Sequence, residues 1–237
     1  MRRKQVLTTL IILTRNEIEG MRALIGRIPF EVVDEHFVVD YKSEDGTVDF
    51  VKKRGIRIIH QERPGRGKAF RLAAAQARGD KLVFFSPDGN EDPADIPKLL
   101  AKLDDGYDMV IASRFLPQSR NEEDSKLITP RAWANKAFSL IANLLWNRSG
   151  QYITDTINGY RAIKKEAFGR MHLTANGYDV EYQMSIRAMR LGLRISEIPT
   201  LEGERIGGGS KAKSIPTGLR FLGFLIREVW FSLRGAY

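Results

Sequence analysis

The sequence predicts an α/β fold: a twisted, mostly parallel sheet with helices on both faces, followed by a helical tail. Two observations carry this. Short runs of strand-forming apolar residues alternate with segments of 3.6-residue apolar spacing through the first half of the 237-residue chain. The strand-like runs are also apolar throughout, without the alternation of a half-wetted sheet, as in strands covered on both sides.

The predicted strands are VLTTLIIL (6–13), EHFVVD (35–40), IRIIH (56–60), KLVFFS (81–86) and DMVIAS (108–113). Between them EIEGMRALIGRI, TVDFVKKRG, KAFRLAAAQARG and ADIPKLLAKLDDG read as helices, several closed by a glycine that accepts left-handed backbone. Strand–helix–strand units of this kind join parallel neighbours. The second half is predicted to hold a helix near 130–147, a short segment GYRAIKKEAF, a helix near 178–192, a strand RISEIP and a glycine-rich turn RIGGGSKAKS. No composition break separates the halves. Residues 1–214 are therefore read as one domain and 215–237 as an amphipathic C-terminal helix.

A composition of 43% hydrophobic and 28% charged residues is that of a soluble globular protein. The absence of cysteine excludes disulfides and thiolate metal sites and points to a reducing compartment. His36, His60 and His172 lack zinc-site spacing. The formal charge of +9 calls for an anionic partner, and nucleic acid, phosphorylated small molecules and an acidic membrane all fit. No aromatic RNA-binding signature or recognition-helix pattern supports a nucleic-acid module. MRRKQVLTTLIIL has the basic flank and apolar stretch of a signal peptide, but no small-residue cleavage site follows, so it reads as a buried first strand. No run reaches the roughly 20 apolar residues that span a bilayer.

Ligands of open α/β sheets bind at the carboxyl ends of the strands. Here those ends read TRNE, DYKSEDGT, QERPGRGK, SPDGNEDP and SRFLPQSR, which collect acids, glycines and arginines along one edge. Asp88 and Asn90 flank Gly89, a spacing that suits a hard divalent cation. The competing reading makes them turn residues, with Asp92 capping a helix behind Pro93. Asp40 is placed either to bond a ribose hydroxyl or base, or to cap a helix near Thr47. PGRGK fails as a Walker motif, with Glu62 and Ala69 at required Gly and Ser/Thr positions, and fails as GxGxxG because Phe70 takes the last place.

In order, RNE, VVD…DGT, GRGKAF, FFSPDGNEDP, ASR, DTINGYRA, GYDVEYQMSIRA, ISEIP and ERIGGGSK resemble a family 2 glycosyltransferase of GT-A fold. Within that family the pattern is most similar to dolichyl-phosphate mannose synthases and bacterial polyprenyl-phosphate sugar transferases. The resemblance covers roughly 5–214. It implies a Rossmann-like GT-A sheet and inverting transfer from a GDP- or UDP-sugar to a polyprenyl phosphate, assisted by Mg2+ or Mn2+ at the cytoplasmic membrane face. A glycan, lipid or small-molecule hydroxyl is the alternative acceptor.

Carried onto this chain, the resemblance gives Asp40 the nucleoside, with Thr14, Glu17, Lys68 and Pro87 completing the donor pocket. The family's DxDxQ metal motif becomes Ser86, Asp88 and Asn90, one acid short. Arg114, Arg131, Arg205, Ser210 and Lys211 would meet phosphate oxygens, as guanidinium forks and glycine-rich backbone can. A phosphate acceptor is already an anionic nucleophile at neutral pH and needs no general base. A hydroxyl acceptor would need one; Asp179 and Glu181 are the candidates, and two residues apart on a helix, at most one faces the site. Asp155 would position its loop beside the acceptor. In the tail, Arg220, Arg227 and Arg234 recur every seven residues amid Leu222, Phe224, Leu225, Val229, Trp230 and Phe231. Such a helix suits an anionic membrane surface, or packs on its own lobe or a second copy in a homo-oligomer.

Overall fold

The computed structural model describes residues 7–120, 130–148, 150–207 and 214–233. Seven strands among them form one sheet: β1 (Thr8–Thr14), β2 (Glu35–Asp40), β3 (Ile58–His60), β4 (Lys81–Phe85), β5 (Met109–Ser113), β6 (Arg161–Lys164) and β7 (Ile195–Pro199). The helices are α1 (Ile18–Leu24), α2 (Thr47–Lys52), α3 (Arg66–Gln76), α4 (Ile96–Asp104), α5 (Pro130–Trp146), α6 (Lys165–Arg170), α7 (Val180–Arg190) and α8 (Ser214–Leu233).

The sheet order is β3-β2-β1-β4-β6-β5-β7. All neighbours are parallel except β6, which runs antiparallel between β4 and β5. The mostly parallel sheet is as predicted; the inserted strand is not, because GYRAIKKEAF offers only Ala162 and Ile163 between Arg161 and Lys164. Arg161 is fully buried there because its guanidinium donates to the carbonyls of Asn158 and Glu181, the latter at 3.1 Å.

Both faces of the sheet are covered, which is why its strands read as continuous apolar runs. Ile11, Leu13, Phe37, Val39 and Phe84 face one core with α3 and α7. Leu10, Ile12, Val38, Val83 and Phe85 face the other with Met21, Leu24 and Leu99 of α1 and α4. Phe70 stacks on Phe84 at 4.1 Å between ring centres, and burying each such ring contributes roughly 1.5–3 kcal/mol.

Helix α3 begins at Arg66, two residues before the predicted start, and ends at Gln76. The glycines at its start are packing sites: a Cβ on Gly67 would lie 2.1 Å from the Ala175 carbonyl oxygen, and one on Gly65 2.2 Å from that of Asn176. The Gly67 amide donates to Asn176 at 3.0 Å. The α2 end is capped by Asp45, whose carboxylate accepts from the Thr47 amide at 3.0 Å, so the capping role considered for Asp40 belongs to Asp45. Asp92 does cap the turn behind Pro93, accepting from Ala94 at 3.1 Å.

The tail helix α8 packs on the protein itself. Phe221 and Phe224 are buried against Tyr182 of α7, and Phe138 of α5 meets Phe221 with 5.4 Å between ring centres. Fully buried Glu228 accepts from Gln183 at 3.1 Å and Arg187 at 3.0 Å, with Arg190 at 3.7 Å. Among the described residues, no helix is long and apolar enough to cross a membrane.

Candidate active site

The parallel register aligns Thr14 with Asp40 at the carboxyl ends of β1 and β2. Thr14 Oγ1 donates to Asp40 Oδ2 at 2.7 Å, and Ser43 donates through its amide (3.0 Å) and its hydroxyl. Asp40 is thereby buried and its carboxylate oxygens are engaged from within the protein. The next turn brings Glu17 in, its amide donating to Thr47 Oγ1 at 3.0 Å.

The loop after β4 lies directly on α1. A Cβ on Gly20 would fall 1.8 Å from the Pro87 carbonyl oxygen, so only glycine lets buried Pro87 and half-buried Asp88 sit there. Gly89 turns the loop with φ +97°, in the left-handed region where glycine is favoured. The 203–206 segment folds over it: Ile206 donates to the Asp88 carbonyl at 2.7 Å and Gly203 to that of Asn90 at 3.3 Å. This crossing delivers Arg205, whose guanidinium lies 3.0 Å from Asp88 Oδ2 and 3.4 Å from Glu17 Oε1.

A second charged cluster underlies the first. Ser86, in place of the motif's first acid, donates its amide to Glu91 Oε2 at 2.6 Å, while Arg66 Nη1 reaches its hydroxyl at 3.3 Å and also pairs with Glu181. Burial, and next the charge of Asp88, push Glu91 up to about 8, although Arg66 and the Ser86 bonds pull it down. Burial alone would lower the Arg66 pKa, but Glu181 and Glu91 raise it above the ordinary arginine value. Sequence reasoning missed Glu91 and Arg66. The signal for Glu91 lay five residues past Ser86, and the Arg66–Glu181 pair joins α3 to α7, far apart in sequence, in a way only the fold reveals.

Of the two candidate acids, buried Glu181 in the first turn of α7 turns inward to Arg66, and half-buried Asp179, just before the helix, accepts from the Gly177 amide at 3.1 Å. Lys68 is half-buried one position after Gly67, and Arg66 is the residue of that motif turned to Ser86. Arg114, beyond β5, is gripped by Asp155 through Nε (2.7 Å) and Nη2 (3.1 Å), with Glu202 at 3.6 Å. Burial works against both ions of this pair, yet Arg114 holds the Asp155 carboxyl below its ordinary value, and Asp155 and Glu202 raise Arg114. Glu197 secures the loop by accepting from the Thr154 and Asp155 amides, each at 2.8 Å. Ser210, Lys211 and the side chain of Arg131 lie outside the described residues.

Among the described residues, no cluster of three His, Asp or Glu side chains is arranged to hold a metal by itself. Asp88 and Asn90 are hard oxygen donors at the carboxyl end of β4, beneath the 203–206 segment. Mg2+ or Mn2+ at such a place needs one or two carboxylates and takes its other oxygens from phosphate and water, so the donor set fits a cation shared with a diphosphate.

The mixed sheet with one inserted antiparallel strand has the GT-A fold, and acids and arginines gather at its carboxyl edge. The structure of glucosyl-3-phosphoglycerate synthase from Mycobacterium tuberculosis, in complex with Mn2+, UDP-glucose and phosphoglyceric acid, has this fold, with a TM-score of 0.70 over 94% of this chain and 79% of that one at 22% identity. Residues 9–170 match the family model described as Glycosyl transferase family 2, and the chain belongs to that family. It is 33% identical to an undecaprenyl-phosphate mannosyltransferase of Micrococcus luteus over 85% of each protein. It is 29% identical to glycosyltransferase AglJ of Haloferax volcanii over 79% of this chain, which spans 60% of that protein's length.

Proposed function

We propose that this transferase moves a sugar from a nucleoside-diphosphate sugar to a polyprenyl phosphate, with inversion at the anomeric carbon. The observation that carries the reading is Arg205 held between Asp88 and Glu17: a cation from the 203–206 crossover, poised over the loop that would receive a diphosphate. The Micrococcus relative, named for an undecaprenyl-phosphate acceptor, supports the acceptor class.

In this reading an acceptor phosphate oxygen attacks the anomeric carbon while the bond from that carbon to the diphosphate breaks and its electron pair leaves with the nucleotide. Asp88 and Asn90 would hold Mg2+ or Mn2+, which when bound neutralises charge on the departing diphosphate. Arg205 exchanges its carboxylate partners for diphosphate oxygens, and Thr14, Asp40 and Glu17 form the wall of the nucleoside pocket. The inward acid of α7, Glu181, is already committed to Arg66, which favours an acceptor that brings its own negative charge over a hydroxyl that needs a base.

The test is transfer from radiolabelled GDP- and UDP-sugars to polyprenyl phosphate. Label that moves into an organic extract and is released by mild acid is the expected result. Label that stays aqueous, or appears on a glycan hydroxyl, overturns the acceptor assignment.

A further inference from the structure

Helices α5 and α8 are apolar on the side facing the protein and again on the side facing away. On α5, Phe138, Ala142 and Trp146 turn inward, while Trp133, Leu140 and Leu144 stand outward, with Trp133 73% and Leu144 76% exposed. On α8, Phe221, Phe224 and Glu228 turn inward, and Leu222, Ile226 and Trp230 form an outward i, i+4, i+8 stripe, with Ile226 64% exposed. The two helices touch through Phe138 and Phe221. A helix apolar on both faces has surface that water does not favour.

Charge says what covers it. Helices α5 and α8 together contain one acid, Glu228, and it is fully buried. Lys136 and Arg227 are exposed beside the apolar stripes, and Arg148 is exposed just past α5. An outward face of leucine, isoleucine and tryptophan, whose exposed charged neighbours among the described residues of these two helices are cations, matches the acyl and headgroup layers of an anionic bilayer, where tryptophan favours the boundary. A subunit interface would gain nothing from like charges along its border.

We propose that the outward faces of α5 and α8 form one surface that lies in the plane of an anionic membrane, with Trp133, Leu140, Leu144, Leu222, Ile226 and Trp230 entering the headgroup boundary. The purpose of this surface, reaching a lipid-borne acceptor, rests on the function proposed above; its apolarity and charge do not. On its inner side α5 holds the loop that positions Arg114, through the Ser139 and Thr156 hydroxyls at 2.9 Å, so the surface and the site are joined by one layer of packing.

The test uses the full chain and phosphatidylcholine vesicles with and without phosphatidylglycerol, both free of polyprenyl phosphate. Co-sedimentation with the anionic vesicles, accompanied by a blue shift of tryptophan emission, is expected. The double variant Leu144→Glu/Ile226→Glu is expected to weaken that binding about tenfold or more, while its thermal midpoint and its transfer to a detergent-dispersed acceptor stay unchanged. Wild-type protein that ignores anionic vesicles overturns the proposal. So does a wild-type dimer that the double variant converts to monomers, which would make the face a subunit contact. Vesicle binding without any transfer to polyprenyl phosphate would instead sink the proposed acceptor and leave the surface standing.

Discussion

The Arg205 guanidinium lies 3.0 Å from Asp88 and 3.4 Å from Glu17, so a cation from the end of the domain neutralises acids from the ends of β1 and β4. Replacing Asp88 with Ala should reduce sugar transfer by about a hundredfold or more, the scale on which removing one group that stabilises developing charge is felt. Arg205→Ala should cost a similar factor, and the double variant should lose less than the product of the two, because the two side chains are in direct contact and do not act independently. Steady-state kinetics with the nucleotide sugar checks this; full activity in Asp88→Ala would remove the residue from the mechanism.

Gly20 provides a test of loop placement. Alanine inside a helix ordinarily gains about 1 kcal/mol over glycine. Here its Cβ would meet the Pro87 carbonyl oxygen at 1.8 Å, and backbone cannot yield cheaply. Gly20→Ala should therefore destabilise the protein by about 1–3 kcal/mol and weaken nucleotide binding, as read by chemical denaturation and calorimetry. A stabilised variant would show that the loop after β4 does not sit on α1 as described.

The Arg114–Asp155 pair gives a pH signature. The Asp155 carboxyl is held below its ordinary value of 3.8, so the pair's contribution is present above that pH and is lost as pH falls through the depressed value. Asp155→Asn should cost about 3–5 kcal/mol at neutral pH by leaving Arg114 buried beside a neutral amide. The gap in thermal midpoint between wild type and variant should narrow on acidification below about pH 4. A gap that is constant with pH would assign the loss to packing alone.

Glu228 is the counter-charge for Arg187 and Arg190 under α8. Glu228→Ala should destabilise by about 3–5 kcal/mol, the cost of orphaning buried charge, and hydrogen exchange in α8 should accelerate more than in β1 or β4. Unchanged protection in α8 would show that its aromatic contacts suffice to seat it.

Much of the fold was legible because both sheet faces are buried: five of the strands lie in largely apolar runs, and glycine closures marked helix ends. The strand β6 was not, since its four residues carry two cations and its insertion between β4 and β5 joins segments that no local pattern relates. At the site, Asp88 and Arg205 were legible through their ordered motifs, and their mutual contact was not. The environment of Ser86 was hidden for a physical reason. The carboxylate bonded to its amide comes from Glu91 around a tight turn, and the guanidinium at its hydroxyl comes from α3, so neither spacing nor composition signals the cluster.

The two ends of α7 do different work. Glu181 near its start is tied to Arg66 beneath Ser86, and Arg187 and Arg190 at its finish are tied to Glu228 of α8. The last helix is thus no detachable tag. An engineer who trims it, or exchanges it for a foreign anchor without supplying an equivalent carboxylate, would strip the counter-ion from a strut whose other tip holds Arg66 against Ser86 at the candidate site.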